Sequence, residues 1–96
     1  MSIEIRGFCA PGFDGVRDVF ARNFAERDEL GARFTFQRDG ETLVDIHGGW
    51  ADRARTRPWG PQTLVPVFST GKAVTALVMA WLAGEGRIRY ADPVAD

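Results

Sequence analysis

The strongest constraint on the fold is a run from Ala73 to Ala83 in which Thr75 is the only polar residue. Together with Ser69 before it and a glycine-rich segment after it, this run predicts a helix over about residues 69–83. A helix that is apolar on all sides has to be buried on all sides. The run is shorter than the ~20 apolar residues that a bilayer span needs. We therefore expect the central helix of a globular protein.

The N-terminal part of the chain predicts one amphipathic helix. Apolar side chains recur at i, i+3, i+4 and i+8 with charged side chains on the other face, which favours a helix over about residues 14–29 that stops before Gly31. Residues 3–8 predict a short strand or an extended arm, and a Pro-Gly pair separates them from the helix. The apolar stripe consists of Val16, Val19, Phe20 and Phe24.

A β-hairpin is predicted next. Residues 32–37 and 43–47 read as its strands, with a turn between them that contains Gly40. A three-residue loop with Gly40 in the left-handed conformation places Phe34 opposite Val44, so that one face is apolar. A two-residue loop would place Phe34 opposite a charged side chain. We therefore expect the three-residue loop.

These elements cannot enclose the apolar helix. One amphipathic helix and one hairpin leave much of such a helix exposed, so the pattern requires more protein than the 96 residues present. We expect the chain to be a fragment or one chain of a cleaved, multi-chain assembly. The alternative is a compact domain of this size that buries the helix in a homo-oligomer.

Composition and charge argue against several classes of protein. The formal net charge is -1, which does not suggest a nucleic-acid or membrane-surface partner. The single Cys9 cannot form an internal disulfide. The N-terminus has no basic segment followed by an apolar stretch, so it does not read as a signal peptide. The sequence therefore predicts a soluble, cytoplasmic protein.

Ser69 and Lys72 carry the candidate chemistry. Their spacing at the start of the predicted helix puts both side chains on one face, about one turn apart. A serine hydroxyl is a poor nucleophile at neutral pH and needs a base within hydrogen-bond reach. A lysine amine can be that base when burial and neighbouring cations favour its neutral form. The N–H of Ser69, at a helix N-terminus, can also help to hold an oxyanion.

A plainer interpretation is that Ser69 caps the helix and Lys72 lies on the surface. A capping box, however, has Glu or Gln three residues after the cap, and a cation in the first turn opposes the helix dipole. Lys72 is also the only lysine of the chain, and it opens an otherwise apolar run. From the residues alone, both interpretations remain open.

The Gly71-Lys72 pair does not belong to a phosphate-binding loop. That motif has glycine five residues before the Gly-Lys pair and Ser or Thr directly after it. Here Pro66 and Ala73 occupy those two positions, so half of the fixed positions fail.

The remaining chemistry-bearing side chains are expected to be structural. His47 is the only histidine, and no second histidine, cysteine or carboxylate has metal-ligand spacing around it. We therefore expect neither a metal nor a cofactor. Trp50 and Trp59 are expected to pack within a loop over residues 48–63.

The segment from Pro66 to Lys72 reads PVFSTGK and runs into AVTAL. It resembles the first motif of class C β-lactamase-like serine hydrolases, and the surrounding chain resembles their family VIII carboxylesterase branch. The resemblance covers nearly the whole chain. The other similar segments are Ala10-Pro11-Gly12-Phe13, the hairpin with Asp39-Gly40, Gly48-Gly49-Trp50-Ala51-Asp52 and Thr63-Leu64-Val65-Pro66.

The resemblance implies an α+β, three-layer αβα fold of the β-lactamase/transpeptidase type, with an antiparallel sheet flanked by helices. Residues 1–96 would be the N-terminal portion of one such domain. They would supply its N-terminal helix, a β-hairpin and the buried nucleophile helix. The remainder of the domain would then be a partner, in the same polypeptide or as separate chains.

The resemblance also implies roles for individual residues. Ser69 would be the nucleophile and a backbone oxyanion donor, and Lys72 the general base, acting with a tyrosine from a Tyr-x-Asn-type motif. Tyr90 does not match that motif, because Ala91 and Asp92 follow it. This tyrosine and the third family motif are missing from the chain, so its 96 residues cannot be a complete catalyst.

The leading functional expectation is a carboxylesterase that acts on short-chain esters. Family β-lactamases and cell-wall peptidases act after export, and the sequence does not read as exported. The alternatives are a β-lactamase, D-alanyl peptidase or acyltransferase of the same superfamily, and a catalytically inactive scaffold or interaction module. In the enzymatic cases the substrate is a small-molecule ester or amide.

Overall fold

The computed structural model describes residues 2–95. They form two compact units, one that ends at Thr63 and one that begins at Leu64, and each is described by itself. The elements are, in chain order, β1 (Ile5–Cys9), α1 (Asp14–Glu26), β2 (Gly31–Arg38), β3 (Glu41–Gly49), a 3₁₀ turn (Phe68–Thr70) and α2 (Gly71–Gly84).

The first unit is an antiparallel sheet with one helix packed on it. Its strand order is β1-β3-β2, so β3 is central, and the predicted N-terminal strand is β1. Val44 and Ile46 of β3 are fully buried, and Phe20 of α1 completes the core. Full burial of such a side chain contributes about 1.5–3 kcal/mol. The partly buried residues around this core are Ile5, Cys9, Phe13, Val16, Phe24 and Ala32.

The predicted amphipathic helix is confirmed, but it is shorter than expected. α1 ends at Glu26, three residues before the predicted end. The N–H groups of Arg27 and Glu29 both donate to the carbonyl of Asn23, at 3.0 and 3.4 Å, and Asp28 between them has a left-handed φ of +54°. Aspartate visits this conformation more readily than most residues. The chain therefore leaves the helix before it reaches β2.

The predicted hairpin forms, but its loop has two residues and the predicted three-residue loop is wrong. Asp39 and Gly40 have φ values of +52° and +79°. Positive φ at both central positions is the mark of a type I′ turn, whose twist matches that of antiparallel strands. Arg38 and Glu41 pair directly across this turn.

A β-bulge reconciles the short loop with apolar pairing. Leu43 is an extra residue on β3, because Phe36 pairs with Val44 and the ladder then continues on the turn side of Leu43. The insertion places Phe34 opposite Ile46, instead of opposite Val44 as predicted. One inserted residue reverses the face on which the following side chains lie. The apolar side chains thus share one face although the loop is tight.

The loop after β3 is closed by one carboxylate. Asp52 accepts hydrogen bonds from the backbone N–H groups of Thr56 (2.9 Å) and Arg57 (3.2 Å) and from the hydroxyl of Thr56. The Thr56 hydroxyl first, and then the Arg57 N–H, lower the pKa of Asp52 from 3.8 to about 2. Residues 52–57 therefore form an ordered turn while Asp52 is ionised.

Arg33 connects the two strands of the hairpin with the same loop. Its Nε and Nη2 donate to the two carboxylate oxygens of Asp45, each at 2.9 Å, and its Nη1 donates to the carbonyl of Pro61. The hydrogen bonds from Arg33 hold the pKa of Asp45 below its ordinary value. Both side chains are about one-third exposed, so solvent screens this ion pair and it stabilises the fold only weakly.

In the second unit, α2 is apolar and no described residue of it is buried, which agrees with the expectation that the elements of this chain cannot enclose it. Among its exposed large apolar side chains, the exposed fraction ranges from 45% for Met79 to 69% for Leu77. The described part of this unit, residues 64–95, contains no second helix and no strand that could cover α2. Residues 64–67 and 87–90 form no strand either.

Two glycine-to-alanine variants test the hairpin turn. A Cβ at Gly40 or at Gly15 would meet no heavy atom within 4 Å, so backbone conformation alone decides the effect. Gly40→Ala forces a Cβ into a left-handed residue and should lower the free energy of unfolding by about 1 kcal/mol. Gly15→Ala, at a helical position of α1, should leave it unchanged or raise it by up to about 0.5 kcal/mol. Urea denaturation measures both, and equal effects would contradict the assigned turn.

The turn at Asp52 should open in acid. Because the pKa of Asp52 is lowered on folding, its stabilising effect is present above about pH 4 and is lost as the pH falls through about 2. Hydrogen exchange of the Thr56 and Arg57 amides, corrected for its intrinsic pH dependence, should speed up over that range. In the Asp52→Asn variant, the exchange of these two amides should already be fast at pH 5. Equal protection in the variant and the wild type at pH 5 would show that the carboxylate does not close the turn.

Candidate active site

Ser69 lies in the 3₁₀ turn that leads into α2. The N–H of Thr70 donates to the carbonyl of Val67 at 3.0 Å, and the N–H of Gly71 donates to the carbonyls of Phe68 and Ser69. These bonds begin the helix, and the N–H of Ser69 precedes them along the chain. The N-terminal N–H groups of a helix have no intrahelical acceptor. Ser69 therefore offers a backbone donor beside its hydroxyl.

Lys72 lies in the first α-helical turn of α2, which starts at Gly71. Residues i and i+3 share one side in both 3₁₀ and α geometry, with about 5–6 Å between Cβ atoms in the α case. The predicted placement of Ser69 and Lys72 on one side, one turn apart, agrees with this local structure. The predicted helix start at Ser69 does not, because α2 itself begins two residues later.

The electrostatics of this helix start are unusual for a surface helix. The first turn of α2 contains no acidic residue, and its one charged side chain is the cation of Lys72. The positive end of a helix dipole stabilises anions and disfavours cations. An oxyanion placed here is therefore stabilised, which suits acyl transfer to Ser69.

Backbone hydrogen bonds, rather than capping side chains, hold the start of α2. No side chain caps the N-terminus of α2, and the hydroxyl of Thr75 bonds back to the carbonyl of Gly71 at 3.4 Å. This back-bond uses the only polar side chain within the apolar run. The hydroxyl of Thr75 therefore donates within the helix rather than to another group.

The other candidates lie in the first unit, apart from this helix start along the chain. His47 is buried in β3, and Trp50 and Trp59 are partly buried, which agrees with their predicted structural role. Together with residues 2–4 they line a cavity of about 410 Å³. All residues that line this cavity belong to the first unit.

Within residues 2–95, no group of three His, Cys, Asp or Glu side chains is arranged to hold a metal ion. Over the same residues, no helix is long and apolar enough to cross a membrane. The one cysteine, Cys9, is free and packs beside the core of the first unit.

Comparison with known proteins decides the family. The sequence profile of the beta-lactamase family matches residues 16–96, a stretch that includes both Ser69 and Lys72. This chain belongs to the beta-lactamase family. Its predicted β-lactamase/transpeptidase-like, α+β fold is likewise confirmed, because solved structures of that fold superpose on the chain with TM-scores of 0.90 and above.

Three proteins similar to this chain have names that state an activity or a family. The chain is 40% identical over 93 residues to the esterase/beta-lactamase LipL of Mycobacterium tuberculosis H37Rv. The matched residues make up 97% of this chain and 22% of LipL. A family VIII carboxylesterase of known crystal structure is 49% identical with a TM-score of 0.90. A penicillin-binding protein homologue from Caulobacter crescentus is 54% identical with a TM-score of 0.91.

The chain spans about a quarter of the length of these relatives. It covers 22% of LipL and 25% of each of the two solved structures, and in all three comparisons 97% of this chain is matched. The resemblance to the esterase and β-lactamase superfamily is therefore confirmed for the N-terminal part of such a protein.

One feature of the site was not predicted from the sequence. Phe68, directly before Ser69, has a φ of +47°. Aromatic residues rarely adopt positive φ, so nothing in the pattern PVFSTGK indicates it. A glycine at this position would have given a signal.

Proposed function

We propose that the protein is a serine hydrolase that forms an acyl-enzyme on Ser69. The observation that carries this proposal is the placement of Ser69 in the turn that opens α2, with Lys72 one turn further along the same helix. Membership of the beta-lactamase family and the similarity to proteins named as esterases support it.

In this mechanism Lys72 accepts the proton of the Ser69 hydroxyl while the oxygen attacks an ester carbonyl. The N–H of Ser69 donates to the oxyanion that forms, at the positive end of α2. Collapse of the tetrahedral intermediate expels the alcohol, which takes up the proton held by Lys72, and leaves Ser69 acylated. Water then releases the acid and regenerates the serine.

The mechanism needs protein that this chain does not supply. We propose that residues 1–96 are the N-terminal portion of one domain, and we call the protein that also contains the rest of that domain the complete protein. The exposed apolar surface of α2, from Val74 to Trp81, supports this. A covering layer there would remove water from the helix start, and burial favours the neutral form of a lysine amine.

We propose short-chain carboxylic esters as the substrates of the complete protein. Two relatives carry esterase in their names, and one of them is a family VIII carboxylesterase. The penicillin-binding protein homologue, which is 54% identical, favours a second candidate. That candidate is acyl transfer from a β-lactam or a D-alanyl peptide to the same Ser69.

The two substrate classes are separated by two chromogenic assays on the complete protein. With p-nitrophenyl acetate we expect a kcat/KM at least about tenfold higher than with a chromogenic cephalosporin, since substrate discrimination is a ratio of kcat/KM values. A kcat/KM that is higher for the cephalosporin than for the ester would support the second candidate. No turnover of either compound would favour an inactive scaffold.

Two substitutions test the assigned roles. Ser69→Ala should lower kcat for p-nitrophenyl acetate by about 10⁴-fold or more, because the nucleophile is lost. Lys72→Arg keeps the positive charge but cannot act as a base, because a guanidinium does not lose its proton. It should lower kcat by at least about 10²-fold, the usual contribution of a general base.

The matched control for the serine is Ser2→Ala, since Ser2 and Ser69 are the only serines of this chain. Its kcat should equal that of the wild type, and far-UV circular dichroism should show all three variants folded. A Ser69→Ala variant that retains wild-type turnover would place the nucleophile elsewhere. A fully active Lys72→Arg variant would remove the lysine from the proposed mechanism.

A further inference from the structure

The backbone conformation of Phe68 stands out within the second unit. Among residues 64–95, only Phe68 and Gly86 have positive φ, at +47° and +74°. Glycine adopts such values freely, whereas a bulky side chain at positive φ is a genuine outlier. Outside this unit, two of the three other non-glycine residues at positive φ, Asp28 and Asp39, are aspartates, a residue type that tolerates this region.

The side chain of Phe68 does not account for this conformation. It is 87% exposed, so packing within the described residues does not hold it. Backbone hydrogen bonds close the turn around it instead. The N–H of Thr70 donates to the carbonyl of Val67, and the carbonyl of Phe68 accepts from the N–H of Gly71. Residues held in sparsely populated backbone regions cluster at functional sites.

Residues 67–70 form a β-turn of a type that usually has glycine at its second position. Val67 to Thr70 are joined by a bond between the first and last residue, at 3.0 Å. The φ value is positive at the second residue, Phe68, and not at the third, Ser69. Positive φ at the second position alone is the type II′ pattern, in which glycine is the usual residue. The chain therefore turns sharply just before Ser69.

The turn has a consequence for the backbone N–H of Ser69. If residues 66–68 were all helical, the helix would extend towards the N-terminus, and the N–H of Ser69 would donate to the carbonyl of Val65 four residues earlier. A left-handed Phe68 stops that extension. The N–H of Ser69 then stays outside the helical ladder, where an acyl oxyanion can accept from it.

We propose that Phe68 is a positioning residue for Ser69, acting through its left-handed backbone rather than through its aromatic ring. This inference rests on the proposed function of Ser69 as nucleophile. The conformation holds the N–H and hydroxyl of Ser69 at the open start of α2. Its effect falls on the chemical step, since the ground-state binding of a small ester does not depend on an oxyanion donor.

Two substitutions of Phe68 in the complete protein test this proposal. Phe68→Gly removes the ring but keeps left-handed φ accessible. It should retain kcat for p-nitrophenyl acetate within about threefold, and the thermal midpoint should not fall. Phe68→Val adds β-branching, which opposes positive φ most strongly. It should lower kcat and the burst rate of acylation by about 10²-fold, the effect of one lost oxyanion donor, with KM within about threefold.

A second variant keeps the test decisive if the valine variant does not fold. Phe68→Pro fixes φ near −65°, and proline is tolerated in the first turn of a helix. It should fold, as judged by far-UV circular dichroism, and show the same loss of kcat. Phe68→Leu, which keeps a large side chain that is not branched at Cβ and has no ring, serves as the matched control and should behave like the wild type.

The outcomes separate this inference from the proposed function. Wild-type turnover that is lost in Ser69→Ala supports the proposed function whatever Phe68 does. Given that result, wild-type rates in folded Phe68→Val or Phe68→Pro would overturn the positioning role. A loss in Phe68→Gly equal to that in Phe68→Val would assign the effect to the ring and would also overturn it. If Ser69→Ala keeps full turnover, both proposals fail together.

Discussion

Everything in the second unit depends on one helix that is apolar on all of its faces. The segment that follows Lys72 carries a single polar side chain, and that hydroxyl is turned back onto the helix backbone. Exposed large side chains such as Leu77 and Trp81 are the direct consequence. An exposed apolar surface of this extent is typical of a site of contact with other protein. In the proposed complete protein, a covering layer would also exclude water from the start of the helix, where Ser69 and Lys72 lie.

The first unit is organised by a different constraint, the pairing of β3 with a strand on each side. Val44 and Ile46 are buried because β3 is central and α1 packs on their face. The bulge at Leu43 lets a tight turn coexist with that apolar face. Arg33, which Asp45 holds in place, then connects the following loop to the sheet through the carbonyl of Pro61. In a protein of the beta-lactamase family, this unit is the part of the sheet that the chain supplies.

Periodicity predicted the elements well but not the points where the backbone reverses. The apolar stripe of α1 and the alternation of the hairpin depend on side chains that repeat along the sequence, so both were found. The end of α1 at Asp28, the bulge at Leu43 and the turn at Phe68 depend on single residues in uncommon backbone states. Aspartate, leucine and phenylalanine occupy many other conformations, so their presence gave no signal. The candidate pair Ser69 and Lys72 could be proposed from residue type and spacing alone, whereas the backbone conformation that presents Ser69 could not be predicted.

The central claim is that Ser69 is an activated nucleophile, and covalent labelling tests it most directly. The complete protein should be treated with a serine-reactive alkyl phosphonate and analysed by intact-mass and peptide mass spectrometry. The account predicts one adduct per protein, on the peptide that contains Ser69, with none on Ser2 and none in Ser69→Ala. A folded protein that gains no adduct, or gains it only at another residue, would contradict the account.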